Sequence, residues 1–200
     1  DFDDVVLKEL ALKQDKPADL KDWKNFLKKY QNPKKKVEIA LVGKYVSLQD
    51  SYKSIAEAFI HAGADLETEV KIRWVYSGDV TEENVQSTFE GVDGMLIAPG
   101  FGDRGIEGKI ISAKYARENS VPLLGICLGM QIMTIEFARN VLEMKKANSM
   151  EFDTSTPELV ISLMEEQKNV VDKGGTMRLG AWKCTLKPGS KLAEIYNTKN

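Results

Sequence analysis

Histidine is almost missing from these 200 residues: His61 is the only one. An imidazole base therefore has a single candidate here. Cysteine is nearly as scarce. Cys127 and Cys184 cannot build the dense disulfide framework of a small secreted domain, so a reducing cytoplasm is the expected compartment. No apolar run approaches the roughly 20 residues needed to cross a bilayer, and no stretch has the build of a signal peptide. An excess of one charge is missing too. Twenty-eight Lys and Arg stand against 30 Asp and Glu, a formal net charge of −2, which provides no field to gather nucleic acid or an anionic membrane. There is no internal repeat, no low-complexity tract and no expected metal site.

What is present suffices for one domain with a sizeable core, since 42% of the residues are hydrophobic. The chain begins at Asp1 rather than Met and stops after Ala193-Glu194-Ile195-Tyr196 with no closing element, so it is expected to be a fragment. Residues 1–36 read as an amino-terminal helix and linker segment. Residues 37–200 read as the main domain, truncated at its carboxy-terminal end.

Leu20, Trp23, Leu27 and Tyr30 recur at helical spacing, which predicts a helix from Asp19 to Tyr30 with Asp19 as its N-cap. Asn32-Pro33 and the lysines 34–36 then break the pattern. Three charges beside a proline read as a solvated linker rather than a nucleic-acid patch. From Val37 onward, strand-like and helical segments alternate. Strands are expected at 37–43, 70–76, 94–98 and 121–126, and helices at 51–65, 81–89, 106–119 and 128–142. That alternation predicts an α/β fold, a mostly parallel sheet flanked by helices, with ligands at the carboxyl ends of the strands. Pro99 onward and Cys127 onward should then face one crevice.

Gly125-Ile126-Cys127-Leu128-Gly129 fits a glycine–x–nucleophile–x–glycine turn between a strand and a helix. A turn this sharp leaves no room for a Cβ on either flank. It exposes the sulfur at the sheet's carboxyl edge, beside helix N-terminal amides that stabilise a thiolate. The N–H of Leu128 is then placed to donate to an oxyanion. The bland alternative, a buried structural cysteine, is weakened by the strand before the turn and the helix after it.

Gly100, Gly102 and Gly105 formally spell a dinucleotide fingerprint in the loop Ala98–Gly105. That motif follows the first strand of its sheet and is trailed by an acid about twenty residues on. Here it follows the third predicted strand, and Pro122–Ile126 carries no acid. A second oxyanion donor is the better use of this backbone. Gly43-Lys44-Tyr45 is no P-loop, lacking the upstream glycine and the following Ser or Thr.

Val42-Gly43-Lys44-Tyr45, Asp50–Ser54, the Pro99–Gly108 loop, Gly125–Gln131, Ala147–Phe152 and Gly174–Gly180 occur in that order. Together they resemble the carboxy-terminal glutaminase domains of the CTP synthase family, which have the class I glutamine amidotransferase (flavodoxin-like) architecture. The resemblance runs through nearly the whole chain. It implies that Cys127 attacks the carboxamide of glutamine, forms a glutamyl thioester and releases ammonia, with Gly100 and Leu128 as oxyanion-hole amides. Glutamine-contacting positions carried across are Gly100, Phe101, Leu128, Gly129, Met130, Gln131 and Glu151, with Glu151 set to pair with the α-ammonium. It further implies a synthetase domain of the same polypeptide that aminates UTP to CTP with ATP and magnesium. GTP is the implied allosteric effector, its site near this domain and involving the Asp103-Arg104 loop, and the full-length protein is implied to be a homotetramer. The glutaminase domain itself is expected to need no cofactor.

Two departures stand beside the site: a single glycine between Pro99 and Phe101 where the family usually has two, and Met150 where it has threonine. The family's catalytic histidine and glutamate have no counterpart in this chain. His61 lies beside the apolar face formed by Ile55 and Phe59 and matches no catalytic position. Cys184 reads as an inert thiol in a strand-like run from Trp182 to Leu186. Two other readings stay open. One is a catalytically degenerate amidotransferase-fold module with a regulatory or interaction role. The other, a peptidase or dienelactone-type cysteine hydrolase, is disfavoured because neither chemistry needs the amino-acid clamp of Gln131 and Glu151.

Overall fold

The computed structural model describes residues 2–12, 18–163 and 184–197. It divides into two compact units, residues 1–161 and 162–200. The first is built on four parallel strands: β1 (Lys35–Gly43), β2 (Thr68–Tyr76), β3 (Gly94–Ile97) and β4 (Leu123–Gly125). Their spatial order is β2-β1-β3-β4. In β1, Ala40 and Val42 pack in one buried cluster with Phe89 and Met95, while Leu41 packs in another with Leu96 and Ala98. Side chains alternate across a strand, so both faces of the sheet are buried, as a continuous apolar run requires.

Two amino-terminal helices, α1 (Phe2–Glu9) and α2 (Lys21–Gln31), bury no residue of their own, and the faces are covered by α3 (Lys53–Asp65), α4 (Val85–Phe89), α5 (Ile106–Glu118) and α6 (Leu128–Asn140). A short pair, β5 (Asn148–Ser149) and β6 (Leu159–Ile161), lies outside the expected elements. Ile106, Ile110 and Ala113 of α5 meet Leu128, Ile132 and Ile135 of α6 in a third buried cluster that includes Ile97. The same two helices are tied by Arg117, whose Nε and Nη2 donate to the Glu136 carboxylate at 3.0 and 2.8 Å. Helix α2 packs on α3 through a Phe26–His61 ring stack, centroids 5.1 Å apart, and a 3.1 Å Lys29–Asp65 ion pair. In the second unit, α7 (Lys191–Tyr196) is capped by Ser190, whose Oγ accepts from the Ala193 amide. Among the described residues no helix is long and apolar enough to cross a membrane.

Three local expectations need correction. Asp19 is not the N-cap of α2. Leu20 takes that place, and the Asp19 carboxylate accepts from the Lys21 amide instead. The helix expected from Thr81 begins at Val85, because Asn84 bonds its side chain to the Thr81 amide and the Asp79 carbonyl and holds a turn there. Strand β4 is shorter than the 121–126 run. Pro122 has no N–H to give, and the Val121 amide closes the end of α5 on Ala116. Trp182 lies outside the described residues, and 184–187 have no regular structure.

The order β2-β1-β3-β4 reverses direction between β1 and β3. Outside the carboxyl ends of those strands a crevice opens, the usual ligand position in an open parallel sheet. Lys44 follows β1, the 98–105 loop follows β3, and Cys127 follows β4.

Candidate functional site

Cys127 is exposed and sits at φ 52°, ψ −107° as the N-cap of α6. This backbone region is strained for any residue with a Cβ. Both flanking glycines are required by space. A Cβ on Gly125 would lie 2.5 Å from the Gly129 carbonyl, and one on Gly129 would lie 3.0 Å from the Ile97 carbonyl carbon, with its oxygen closer still. The strand–turn–helix is therefore as tight as the glycine spacing requires, and the sulfur is held out at its apex.

The first amides of a helix have no intrahelical acceptor. Here Gly129 donates to the Ile126 carbonyl, and Met130 and Gln131 donate to that of Cys127. The N–H of Leu128 finds no acceptor among the described residues. Its side chain lies near Gly100, since a Cβ built there would be 3.7 Å from Leu128 Cδ2. Gly100 itself has φ 155°, which a residue with a side chain rarely adopts. The two expected oxyanion amides thus belong to neighbouring backbone segments.

Two buried lysines, neither anticipated as a site residue, brace the loop that carries Gly100. Lys44 is 5% exposed and donates from Nζ to the carbonyls of Phe101 and Gly102, the latter at 2.9 Å. Lys109, on α5, is fully buried and donates to the Ala98 carbonyl at 2.8 Å. Burial pushes the Lys44 ammonium below its ordinary range, with the Arg104 charge adding to the effect and Glu151 and Asp103 opposing it. For Lys109, burial is again the main cause, aided by Lys44 and opposed by Cys127, and its pKa falls to about 8.

That shift has a consequence for stability. An unfolded Lys ionises near 10.5 and the folded Lys109 near 8, so between those values the unfolded chain binds the extra proton. Burying the charge destabilises the fold fully below pH 8 and not at all above 10.5. Lys109's contribution should therefore rise by about 3 kcal/mol across that window. Urea midpoints on either side of it, compared with Lys109→Met, check this: the rise should be missing from the variant.

Glu151 is exposed, and its Oε1 accepts from the Gly102 amide at 2.7 Å. The carboxylate is thereby hooked to the same loop. Gln131 is half-buried and its Oε1 is sealed from solvent without a partner. Phe101 is 80% and Met130 54% exposed, so both lie on the open side of the site. Arg104 lies over the Tyr45 ring at 5.6 Å. His61 is occupied with Phe26, and no hydrogen bond joins it to Cys127. Cys184 is exposed in the second unit, and the Gly174–Gly180 motif lies outside the described residues. Among the described residues no cluster of three His, Cys, Asp or Glu could hold a metal ion.

Lys109 had a legible signal. It shares the apolar stripe of its helix with Ile106, Ile110, Ala113 and Ala116, and a lysine at a core-facing position must be paired or functional.

A family model for glutamine amidotransferase class-I matches residues 47–200. A CTP synthase of Flavobacterium johnsoniae is 54% identical over 198 residues, 99% of this chain and 37% of the relative. One of Cytophaga hutchinsonii is 57% identical over 195 residues, 98% of this chain and 36% of the relative. The chain thus spans little more than a third of the length of the curated relatives it matches. Among solved structures, the glutaminase domain of Trypanosoma brucei CTPS with bound acivicin matches with a TM-score of 0.63 and 36% identity. That match covers 66% of this chain and 52% of the other.

Proposed function

The chain belongs to the class I glutamine amidotransferase family, and from its likeness to CTP synthases we propose that it is the glutamine-hydrolysing part of a CTP synthase, with Cys127 as nucleophile. The observation that carries the reading is the Cys127 turn: a strained, exposed cysteine between two glycines that admit no Cβ, at the head of a helix. Fixed strain at an exposed nucleophile is what an attacking group needs and what a structural thiol has no use for.

In the proposed reaction the Cys127 sulfur, as thiolate, attacks the carboxamide carbon of glutamine. A C–S bond forms, and the carbonyl π electrons move onto oxygen, where the amides of Leu128 and Gly100 meet the charge. Collapse restores the carbonyl and breaks the C–N bond. The nitrogen leaves as ammonia after accepting a proton from a general acid. Water then cleaves the thioester, releasing glutamate and returning the thiol. A histidine with its orienting glutamate supplies that proton traffic in the family, and we place both in the remainder of the full-length protein.

Glu151 selects free amino acid. Oε1 is committed to Gly102, and Oε2 is left for the substrate's α-ammonium. Glu151→Gln keeps the shape and removes the charge. It should raise KM for glutamine roughly tenfold, with kcat less affected, read from steady-state ammonia release.

The wider reading is that ammonia passes to a synthetase domain of the same polypeptide, which aminates UTP with ATP and magnesium. GTP acts as effector near the Asp103-Arg104 loop, and the assembly is a tetramer in the cytoplasm. Residues 1–36 serve as the connection toward that domain, and the glutaminase step takes no cofactor.

The deciding experiment is peptide mass spectrometry after treatment with a chloro-isoxazoline glutamine mimic, with and without excess glutamine. One adduct on Cys127 that glutamine suppresses, with exposed Cys184 left free, supports the reading. No adduct in the full-length protein would favour the degenerate regulatory module.

A further inference from the structure

The sheet comes apart where the site begins. The β1–β3 register runs from Ile39↔Gly94 to Val42↔Ile97 and stops. One further bond joins the Ala98 amide to the Val42 carbonyl at 2.9 Å. Beyond it the strands no longer serve each other. The Lys44 amide turns to the Tyr52 hydroxyl at 3.0 Å, and the Ala98 carbonyl turns to Lys109 Nζ. A side chain from a helix thus takes over a backbone acceptor at the last point before the Gly100 loop.

That acceptor is well placed to control the loop. The Ala98 carbonyl lies in the peptide plane that contains the Pro99 nitrogen, and a peptide is rigid. Proline locks the next torsion near about −65°. One soft angle, ψ of Pro99, is then left between the Lys109-held plane and the N–H of Gly100. On the far side Lys44 holds the Phe101 and Gly102 carbonyls, and Glu151 holds the Gly102 amide. The loop has a single glycine between Pro99 and Phe101, so little chain is left to absorb an error in the first plane. We propose that Lys109 is a positioning residue for glutamine hydrolysis: by holding the Ala98–Pro99 peptide plane it aims the Gly100 amide at the oxyanion beside Cys127.

The surroundings agree with this role. A fully buried ammonium with one carbonyl acceptor is a costly way to fill a core position. A methionine would fill that space without the burial penalty. The charges that act on Lys109 are Lys44, after β1, and Cys127, at the head of α6. Both border the site, which puts a second cation close to where negative charge develops in the transition state.

The inference rests on the reading of Cys127 as a glutaminase nucleophile, and the test separates the two. Glutamine hydrolysis by the full-length protein is compared with alkylation of Cys127 by iodoacetamide. In the latter the sulfur displaces iodide from carbon, so a C–S bond forms, the C–I bond breaks and no oxyanion arises. In Lys109→Met, kcat for hydrolysis should fall roughly 10²-fold, the scale of a displaced oxyanion donor, with KM within about threefold and the alkylation rate within about twofold. Lys109→Arg, which can still donate to Ala98, should recover part of the loss. Hydrolysis by Lys109→Met within about twofold of the unsubstituted protein would overturn the inference alone. So would hydrolysis and alkylation falling together, the mark of a collapsed site. A variant that does not fold would assign Lys109 to the core and overturn it as well. An unsubstituted protein that releases no ammonia from glutamine would overturn the reading of Cys127, and this inference with it.

Discussion

Cys127→Gly should abolish glutamine hydrolysis and yet leave a more stable protein than Cys127→Ala. The first half follows from chemistry. Cys127 is the proposed nucleophile, neither variant has a thiol there, and loss of a nucleophile costs on the order of 10⁵-fold or more in turnover. The second half follows from the backbone. At φ 52° and ψ −107°, alanine keeps a Cβ in a conformation that costs roughly 1–3 kcal/mol, whereas glycine adopts it freely. Against this stands glycine's greater freedom in the unfolded chain, roughly 0.5–1 kcal/mol. The net expectation is about 1 kcal/mol in favour of glycine, measured as a difference in urea midpoint between the two inactive variants. Equal midpoints, or a lower one for glycine, would show that the turn stores no strain at the cysteine.

Gly129→Ala should be severely damaging for a single added methyl group. Its Cβ would stand 3.0 Å from the carbonyl carbon of Ile97 and 3.2 Å from the Ile97 Cβ, with the carbonyl oxygen nearer than either. None of these atoms can swing aside: Ile97 is fully buried in β3, and its carbonyl already accepts from the Ile126 amide at 3.1 Å. Relief requires the start of α6 to move off the sheet, taking Cys127 and the Leu128 amide with it. A loss of more than about 4 kcal/mol is expected, together with loss of activity. Gly91→Ala is the control. Gly91 also has a positive φ, 77°, but nothing lies within 4 Å of a built Cβ, so only about 1 kcal/mol of backbone strain should appear. Thermal unfolding of the two variants should separate them widely. Similar midpoints would mean that the close approach of α6 to β3 is not needed for the fold.

Much of the architecture was legible because parallel strands advertise themselves. The runs around Leu41 and Leu96 are apolar on both faces, and they came out as neighbouring central strands buried on both sides. The turn at Cys127 was legible for a steric reason: Gly125 and Gly129, set symmetrically about a cysteine at a strand–helix junction, have few other uses. What escaped was decided by side chains that bond to backbone groups, near or far in sequence. Asn84 looked like helix until its side chain met Asp79 and Thr81. The apolar stripe says that Lys109 must be paired but not with what, because its partner is a backbone carbonyl eleven residues away. Lys44 was set aside when the P-loop pattern failed, although its side chain crosses to a loop 57 residues on. Carbonyl acceptors carry no sequence signature, so side chains that find them are hard to foresee.

The sheet also tapers. Register between β1 and β2 extends over nine residues, between β1 and β3 over four, and between β3 and β4 over three. Cys127 is launched from the last and shortest of these strands. Fraying at that margin would carry the sulfur away from Gly100, its proposed oxyanion partner, while the β1–β2 ladder stays whole. The protein can therefore fall silent without melting, and heat or mild denaturant should extinguish its chemistry before any probe of the long strands responds.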